Sequence, residues 1–199
     1  TLLLFGPPGV GKGTQGQILG AIPNLFHLAT GDMFRNLDKS SEIGIECTKF
    51  SSKGKLVPDE LTIRLWQQHM NMLIKTKAYV PETDVLILDG LPRSIEQVKL
   101  TENHLSVKKI IHLVCSDIEE VVGRMKKRAI EQNRADDADE KVIRKRFEVY
   151  EKESHPILKM FDPHLISEID CLESPSEVLN SILNEIIPII THIQNIKKS

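Results

Sequence analysis

Leu2-Leu3-Leu4-Phe5-Gly6-Pro7-Pro8-Gly9-Val10-Gly11-Lys12-Gly13-Thr14 is an apolar run that ends in a glycine cluster, followed by a lysine and a hydroxyl residue. An uninterrupted apolar run of this length reads as a strand buried on both faces of a parallel sheet. The glycines allow backbone N–H groups to converge on an anion, and a helix expected from Lys12 adds a favourable dipole at the same point. Lys12 can reach the outer phosphates of a nucleotide, and the Thr14 hydroxyl can meet a metal ion. Together Gly9, Val10, Gly11, Lys12, Gly13 and Thr14 form a candidate phosphate cradle. Gly13 stands where the general phosphate-loop pattern has Ser or Thr, and Thr14 follows it, which narrows the possible families.

Outward from this loop, short apolar runs recur at Leu25–Ala29, Val85–Leu88 and Ile110–Val114, with a weaker one at Leu165–Ile169. Helical patterns fall between them, and that alternation predicts an α/β fold with a parallel sheet. Pro58, Asp59 and Glu60 open a helix that buries Ile63, Trp66, Met70 and Leu73 at helical spacing. Ser-x-x-Glu capping boxes are expected at Ser116–Glu119 and Ser174–Glu177, and Pro188 is expected to bend the last helix. Two polar stretches interrupt the rhythm, residues 30–57 and 127–138, and both read as insertions on one core.

Composition limits the function classes. The 199 residues are 40% hydrophobic and 27% charged, a globular profile. A net charge of -2 argues against a general nucleic-acid or membrane-surface binder, so an anion site has to be local. Cys47, Cys115 and Cys171 are odd in number, far apart in sequence and at no metal-ligand spacing, which favours a reducing cytoplasm. Because the chain begins inside a strand, a short leading segment is expected to precede it. His27, His69 and His155 have no metal partner at ligand spacing and are read as packing or surface residues.

Four blocks in order carry a resemblance: Gly6–Gln15, Leu28-Ala29-Thr30-Gly31-Asp32-Met33-Phe34-Arg35, Gly54-Lys55-Leu56-Val57-Pro58-Asp59-Glu60, and Leu88-Asp89-Gly90-Leu91-Pro92-Arg93. A fifth, Arg134-Ala135-Asp136-Asp137, lies in the second polar stretch. With them the chain resembles the nucleoside monophosphate kinases, and among these the adenylate kinases with a short lid. The resemblance implies a P-loop NTPase-like three-layer α/β/α fold on a five-stranded parallel sheet. Residues 1–29, 58–126 and 139–199 would then be the core, 30–57 an insertion that binds the monophosphate, and 127–138 a short lid.

The same resemblance distributes the site. Gly9–Thr14, Arg124 and Arg128 would bind ATP, with Mg²⁺ near Thr14 and Asp89, through water. Thr30, Arg35, Lys55, Leu56, Val57, Gly90, Arg93, Gln97, Arg134 and Arg146 would bind AMP, with Thr30 and Gln97 on the adenine. Lys12, Arg93, Arg128, Arg134 and Arg146 would be catalytic. Leu91 replaces the family's usual Phe, and the stretch from Arg134 to Arg146 is one residue longer than the short-lid pattern. The short lid has no cysteines, so no zinc is expected. The implied reaction is ATP + AMP = 2 ADP in a cytoplasmic monomer that binds neither nucleic acid nor membrane. Kinases for UMP or CMP are disfavoured by Thr30 and Gln97, switch GTPases by the lack of Asn-Lys-x-Asp, and a non-catalytic nucleotide-binding module by the intact Lys12, Asp89 and Arg93.

Residue chemistry alone offers blander readings of the same positions. Thr30 can serve as a helix cap and Arg35 as a solvated charge. Lys126, Lys127, Lys141, Arg144 and Lys145 read as a solvated helix surface. Asp136 and Asp137 either orient arginines or simply form the turn that Asp favours.

Overall fold

The computed structural model describes residues 1–132 and 137–198. Strands β1 (Leu2–Phe5), β2 (Leu25–Ala29), β3 (Val85–Asp89), β4 (Lys109–Val114) and β5 (Ile166–Asp170) lie within a residue or so of the apolar runs. They form one parallel five-stranded sheet in the order β2-β3-β1-β4-β5. The chain leaves β1 toward one edge, returns to β3 beside it, and crosses to the other side at β4. Such a change of direction opens a crevice at the carboxyl ends of the central strands, where open α/β folds bind ligands.

Alternation along β1 assigns the layers. Leu2 and Leu4 enter a core with Val121, Val122, Met125, Ile143, Phe147, Val178, Ile182 and Ile186, whereas Leu3 and Phe5 enter one with Leu61, Leu65, Trp66, Ile157 and Leu158. Helices α1 (Lys12–Gly20), α6 (Ile118–Glu131), α7 (Glu140–Val149) and α8 (Pro175–Lys198) supply the first face, and α4 (Asp59–Lys75) the second. The polar stretch 30–57 folds as α2 (Thr30–Arg35) and α3 (Glu42–Ser51), whose Met33 and Cys47 join the second core. The remaining helix, α5 (Ile95–Thr101), follows β3.

Local chemistry explains most helix starts. At α8 the expected box forms in both directions: Ser174 N–H donates to Glu177 Oε2 at 3.0 Å and Glu177 N–H to Ser174 Oγ at 3.4 Å. The helix then continues through Pro188 to Lys198. At α6 the expected box is corrected. Asp117, one residue later than Ser116, is the cap, its Oδ1 accepting from Glu119 N–H at 3.0 Å and Glu120 N–H at 3.1 Å. Glu119 is drawn away by the Arg144 guanidinium, which donates to both of its carboxylate oxygens at 2.9 Å. Asp117→Ala is therefore expected to lower the unfolding free energy by about 1 kcal/mol, and Ser116→Ala to leave it nearly unchanged, as measured by urea unfolding.

Two features were not expected. Helix α7 widens into a π turn over Tyr150–Ser154 before a 3-10 turn over His155–Met160, and such turns are common near functional sites. The tip of the 30–57 stretch also reaches α7: Gly54, at φ +66, lies so close that an added Cβ would stand 3.0 Å from Val142 O and 3.1 Å from Arg146 Cγ. His27 packs its ring on α1, where Gly16 and Gly20 leave room for it, and His155 stacks on Tyr150. Among the described residues, no helix is long and apolar enough to cross a membrane.

Candidate active site

The loop between β1 and α1 has the geometry of an anion cradle. Gly11 caps α1 in a left-handed conformation, φ +96, and no side chain fills the cap, so the helix start is open to an anion. Gly9, at φ +85, admits no side chain, since a Cβ there would lie 2.5 Å from Val121 Cγ1. Lys12 folds back over the loop and donates from Nζ to Gly6 O and Pro7 O, each at 2.7 Å. Thr14 is exposed one residue past Gly13, and Asp89 ends β3 with its Oδ2 beside Gly13.

Lys12 also reports what surrounds it. Burial lowers its pKa to about 8, Asp89 opposes that shift, and the guanidinium groups of Arg93, Arg146 and Arg128 add to it. An arriving polyphosphate favours the ammonium form, so it raises the Lys12 pKa and the complex takes up protons between about pH 8 and the ordinary lysine value of about 10.5. ATP phosphates are already ionised there, because the second phosphate pKa is about 6. Calorimetry of MgATP binding at pH 8.5 in two buffers of different ionisation enthalpy is expected to show proton uptake, smaller at pH 7 and lost in Lys12→Met.

Across the crevice, the end of β3 turns through Gly90, φ +84, and a cis Leu91–Pro92 bond into Arg93. Arg93 is anchored at three atoms: its Nε donates to Gly90 O at 2.7 Å, its N–H to Gln97 Oε1 at 2.7 Å, and its carbonyl accepts from Ser154 Oγ at 2.8 Å. Gly90 lies directly against the Arg93 head and the Thr30 hydroxyl. Thr30 is 1% exposed and donates to Asp89 O at 3.2 Å and Gly90 O at 2.9 Å, which ties α2 to the end of β3. Gln97 is 2% exposed, with its Nε2 donating to Asp59 Oδ1 at 2.8 Å, so both ends of the carboxamide are engaged. Arg35 pairs with Asp32 at 2.5 Å, Val57 is buried, and Lys55 and Leu56 form the chain leading into α4.

On the far wall, Asp137 is completely buried and binds two arginines at once. Its Oδ2 accepts from Arg128 Nε at 2.8 Å and Nη2 at 2.5 Å, and its Oδ1 from Arg146 Nη1 at 2.5 Å. Of the two readings of Asp137, orientation of arginines is the one the geometry supports. Arg124 lies apart, donating to Cys171 O at 2.8 Å and pairing with Glu120. The expectations for Arg134 and for Asp136 lie outside the described residues. Lys126, Lys127, Arg144 and Lys145 form surface ion pairs with Glu140, Glu131, Glu119 and Glu148 respectively.

Three supporting residues escaped the sequence reading. Asp59 and Gly54 stand in the third block without a site role of their own, and Ser154 carries no local signal because the π turn that presents it is a tertiary feature. Among the described residues, no group of three or more His, Cys, Asp or Glu side chains is placed to hold a metal ion. Asp89 and Thr14 do fit Mg²⁺ that arrives with phosphates, since that ion typically keeps waters and takes few protein ligands.

Fold and site together define a nucleotide-binding α/β protein of the P-loop class, with Arg93, Arg128 and Arg146 near enough to act on the lysine of the phosphate loop. Comparison with known proteins narrows the class. The family model described as adenylate kinase matches residues 4–165. The chain is 40% identical over 167 residues to an adenylate kinase of Bifidobacterium longum, covering 81% of this chain and 85% of that one. It is 38% identical over 191 residues to an adenylate kinase of Clavibacter michiganensis, covering 91% and 90%. An adenylate kinase of Flavobacterium johnsoniae is 34% identical over 195 residues, covering 93% and 98%. The chain belongs to the adenylate kinase family.

Proposed function

We propose that the chain transfers the γ-phosphoryl group of ATP to AMP, reversibly, giving two ADP. The observation that carries this reading is the convergence on Lys12 of Arg93, Arg128 and Arg146 with Asp89, from separate parts of the chain. Cations so arranged match two anionic nucleotides meeting end to end.

In this reading Gly9–Thr14 and Arg128 hold ATP, and Arg124 joins them by exchanging Glu120 for a phosphate, while Thr30, Arg35, Lys55–Val57, Gly90, Arg93, Gln97 and Arg146 hold AMP, with Arg134 as a further cation. Residues 30–57 close over AMP and 127–138 over ATP, on a core made of the rest. Mg²⁺, when bound with ATP at Thr14 and Asp89, supplies neutralisation of phosphate charge. The AMP phosphate is itself ionised near neutral pH, so it attacks without a general base. The protein's work is positioning and charge stabilisation.

Four of these cations are already held by protein acceptors: Lys12 by Gly6 O and Pro7 O, Arg35 by Asp32, and Arg128 and Arg146 by Asp137. Substrate phosphates exchange with the acceptors of Lys12 and Arg35, whereas Arg128 and Arg146 keep Asp137 and offer phosphates their remaining N–H groups, so the buried carboxylate stays paired. Gln97 reaches adenine by exchanging one of its two bonds. Closing the insertions over both nucleotides excludes water, the competing acceptor.

The test is to incubate the protein with MgATP and, separately, AMP, CMP, UMP, GMP or dTMP, and to measure the diphosphate formed. AMP is expected to be turned over far faster than the others. Equal or faster turnover of UMP or CMP would make this a pyrimidine monophosphate kinase, and nucleotide binding without any diphosphate would make it a binding module.

A further inference from the structure

The register of β4 on β5 brings together two cysteines separated by more than fifty residues. Val114 stands opposite Asp170 in the parallel ladder, and the residue just past the end of each strand is a cysteine. Cys171 N–H donates to Val114 O at 2.9 Å, so the pairing continues to the strand ends. In-register neighbours on parallel strands point to the same face, and strands lie about 4.8 Å apart. That spacing falls within the Cα separation that disulfides span, about 4.4–6.8 Å. The two thiols are near enough for Cys115 to help push the Cys171 thiol up. Neither is in a disulfide, Cys171 is 2% exposed, and Cys115 is half-buried with its Sγ 3.1 Å from Asp117 O.

We propose that Cys115 and Cys171 are a thiol–disulfide site, a pair at the carboxyl ends of β4 and β5 that a low-molecular-weight disulfide oxidises to a cross-link. The Cys115 thiolate attacks one sulfur of the small disulfide, forming a mixed disulfide and releasing one small thiol. Cys171 then gives up its proton and attacks the Cys115 sulfur, releasing the second small thiol. Two protein thiols are oxidised, the small disulfide is reduced, and the protein loses two hydrogens. Cys115 reacts first because it is reached by solvent, whereas burial and the neighbouring Cys115 push the Cys171 thiol well above the ordinary thiol value.

The cross-link would act on the nucleotide side of the fold. Cys171 O accepts from Arg124 of α6, and Pro175 O accepts from Gln15 of α1 at 2.8 Å, so the segment after β5 is tied to the helix that follows the phosphate loop. Fixing this segment is expected to change the KM for ATP by about threefold or more and to leave that for AMP unchanged, a consequence that rests on the proposed function.

The test uses the whole protein and oxidised glutathione. Intact mass and peptide mapping are expected to show a Cys115–Cys171 link with two hydrogens lost, reversed by dithiothreitol and unaffected by Cys47→Ser. Cys171→Ser is expected to stop at a retained glutathione on Cys115, and Cys115→Ser to react little. A stable adduct on Cys115 in the unmutated protein, or a link to Cys47 instead, overturns the site. A linked protein with both KM values unchanged overturns its effect on ATP. Reduced protein that forms no ADP would refute the proposed function and leave the mass result to judge the thiol site alone.

Discussion

Arg93→Ala is expected to lower kcat/KM for AMP by about 10³-fold or more, with a far smaller effect on the unfolding midpoint. The main chain on both sides of the Arg93 side chain is fixed, at N–H by Gln97 and at the carbonyl by Ser154, and its Nε is fixed by Gly90. These bonds place the guanidinium before substrate arrives, so its interaction with the transferring phosphoryl requires little reorganisation. A lysine should not restore activity, since a compact ammonium matches neither the Gly90 anchor nor the two-point grip on phosphate oxygens. Steady-state kinetics with AMP and MgATP decide the matter, and near-normal turnover of the alanine variant would remove Arg93 from the reaction.

Ile87→Ala is expected to be the most damaging of these substitutions for stability, by about 2–5 kcal/mol. Ile87 is 0% exposed in the middle of β3, opposite Leu2 of β1 on one side and His27 of β2 on the other. Strands on both sides hold the backbone in place, so the surroundings cannot collapse into the space left by the lost methyl groups. For a chain of this size that corresponds to a fall in Tm of about 4–20 °C. Ile130→Ala is the control: the residue is 86% exposed on α6 and should change stability by about 0.5 kcal/mol or less. Urea unfolding of both variants gives the comparison, and equal losses would place Ile87 outside the core.

The sites most legible in the sequence were those made within one segment. Leu2–Phe5, the glycines after it and Lys12 lie within a dozen residues, so a strand, a turn and a helix start could be read in register from residue types alone. The box at Ser174 was legible for the same reason. The box at Ser116 was misread because two neighbouring residues, Ser116 and Asp117, both suit a cap. Competition for Glu119 from Arg144, distant in sequence, favoured the second.

Gln97 marks the boundary between the two kinds of information. Its position four residues after Arg93 is visible in the sequence, and the family resemblance implies an adenine contact for it. Asp59, on another helix, engages its amide nitrogen, and the Arg93 N–H engages its oxygen. Whether Gln97 reads a base depends on how readily one of those bonds is exchanged, and no local pattern encodes that.

By itself the sequence determined the alternation of strands and helices, the phosphate loop and the list of basic residues available to a nucleotide, because apolar period, glycine and charge act over a few residues. Only the tertiary structure decided which of those cations gather around Lys12, that one buried carboxylate, Asp137, serves both Arg128 and Arg146, and that Cys115 meets Cys171. Those contacts depend on strand order and register, which follow from packing the whole chain into two cores and leave no mark on the residues between the partners.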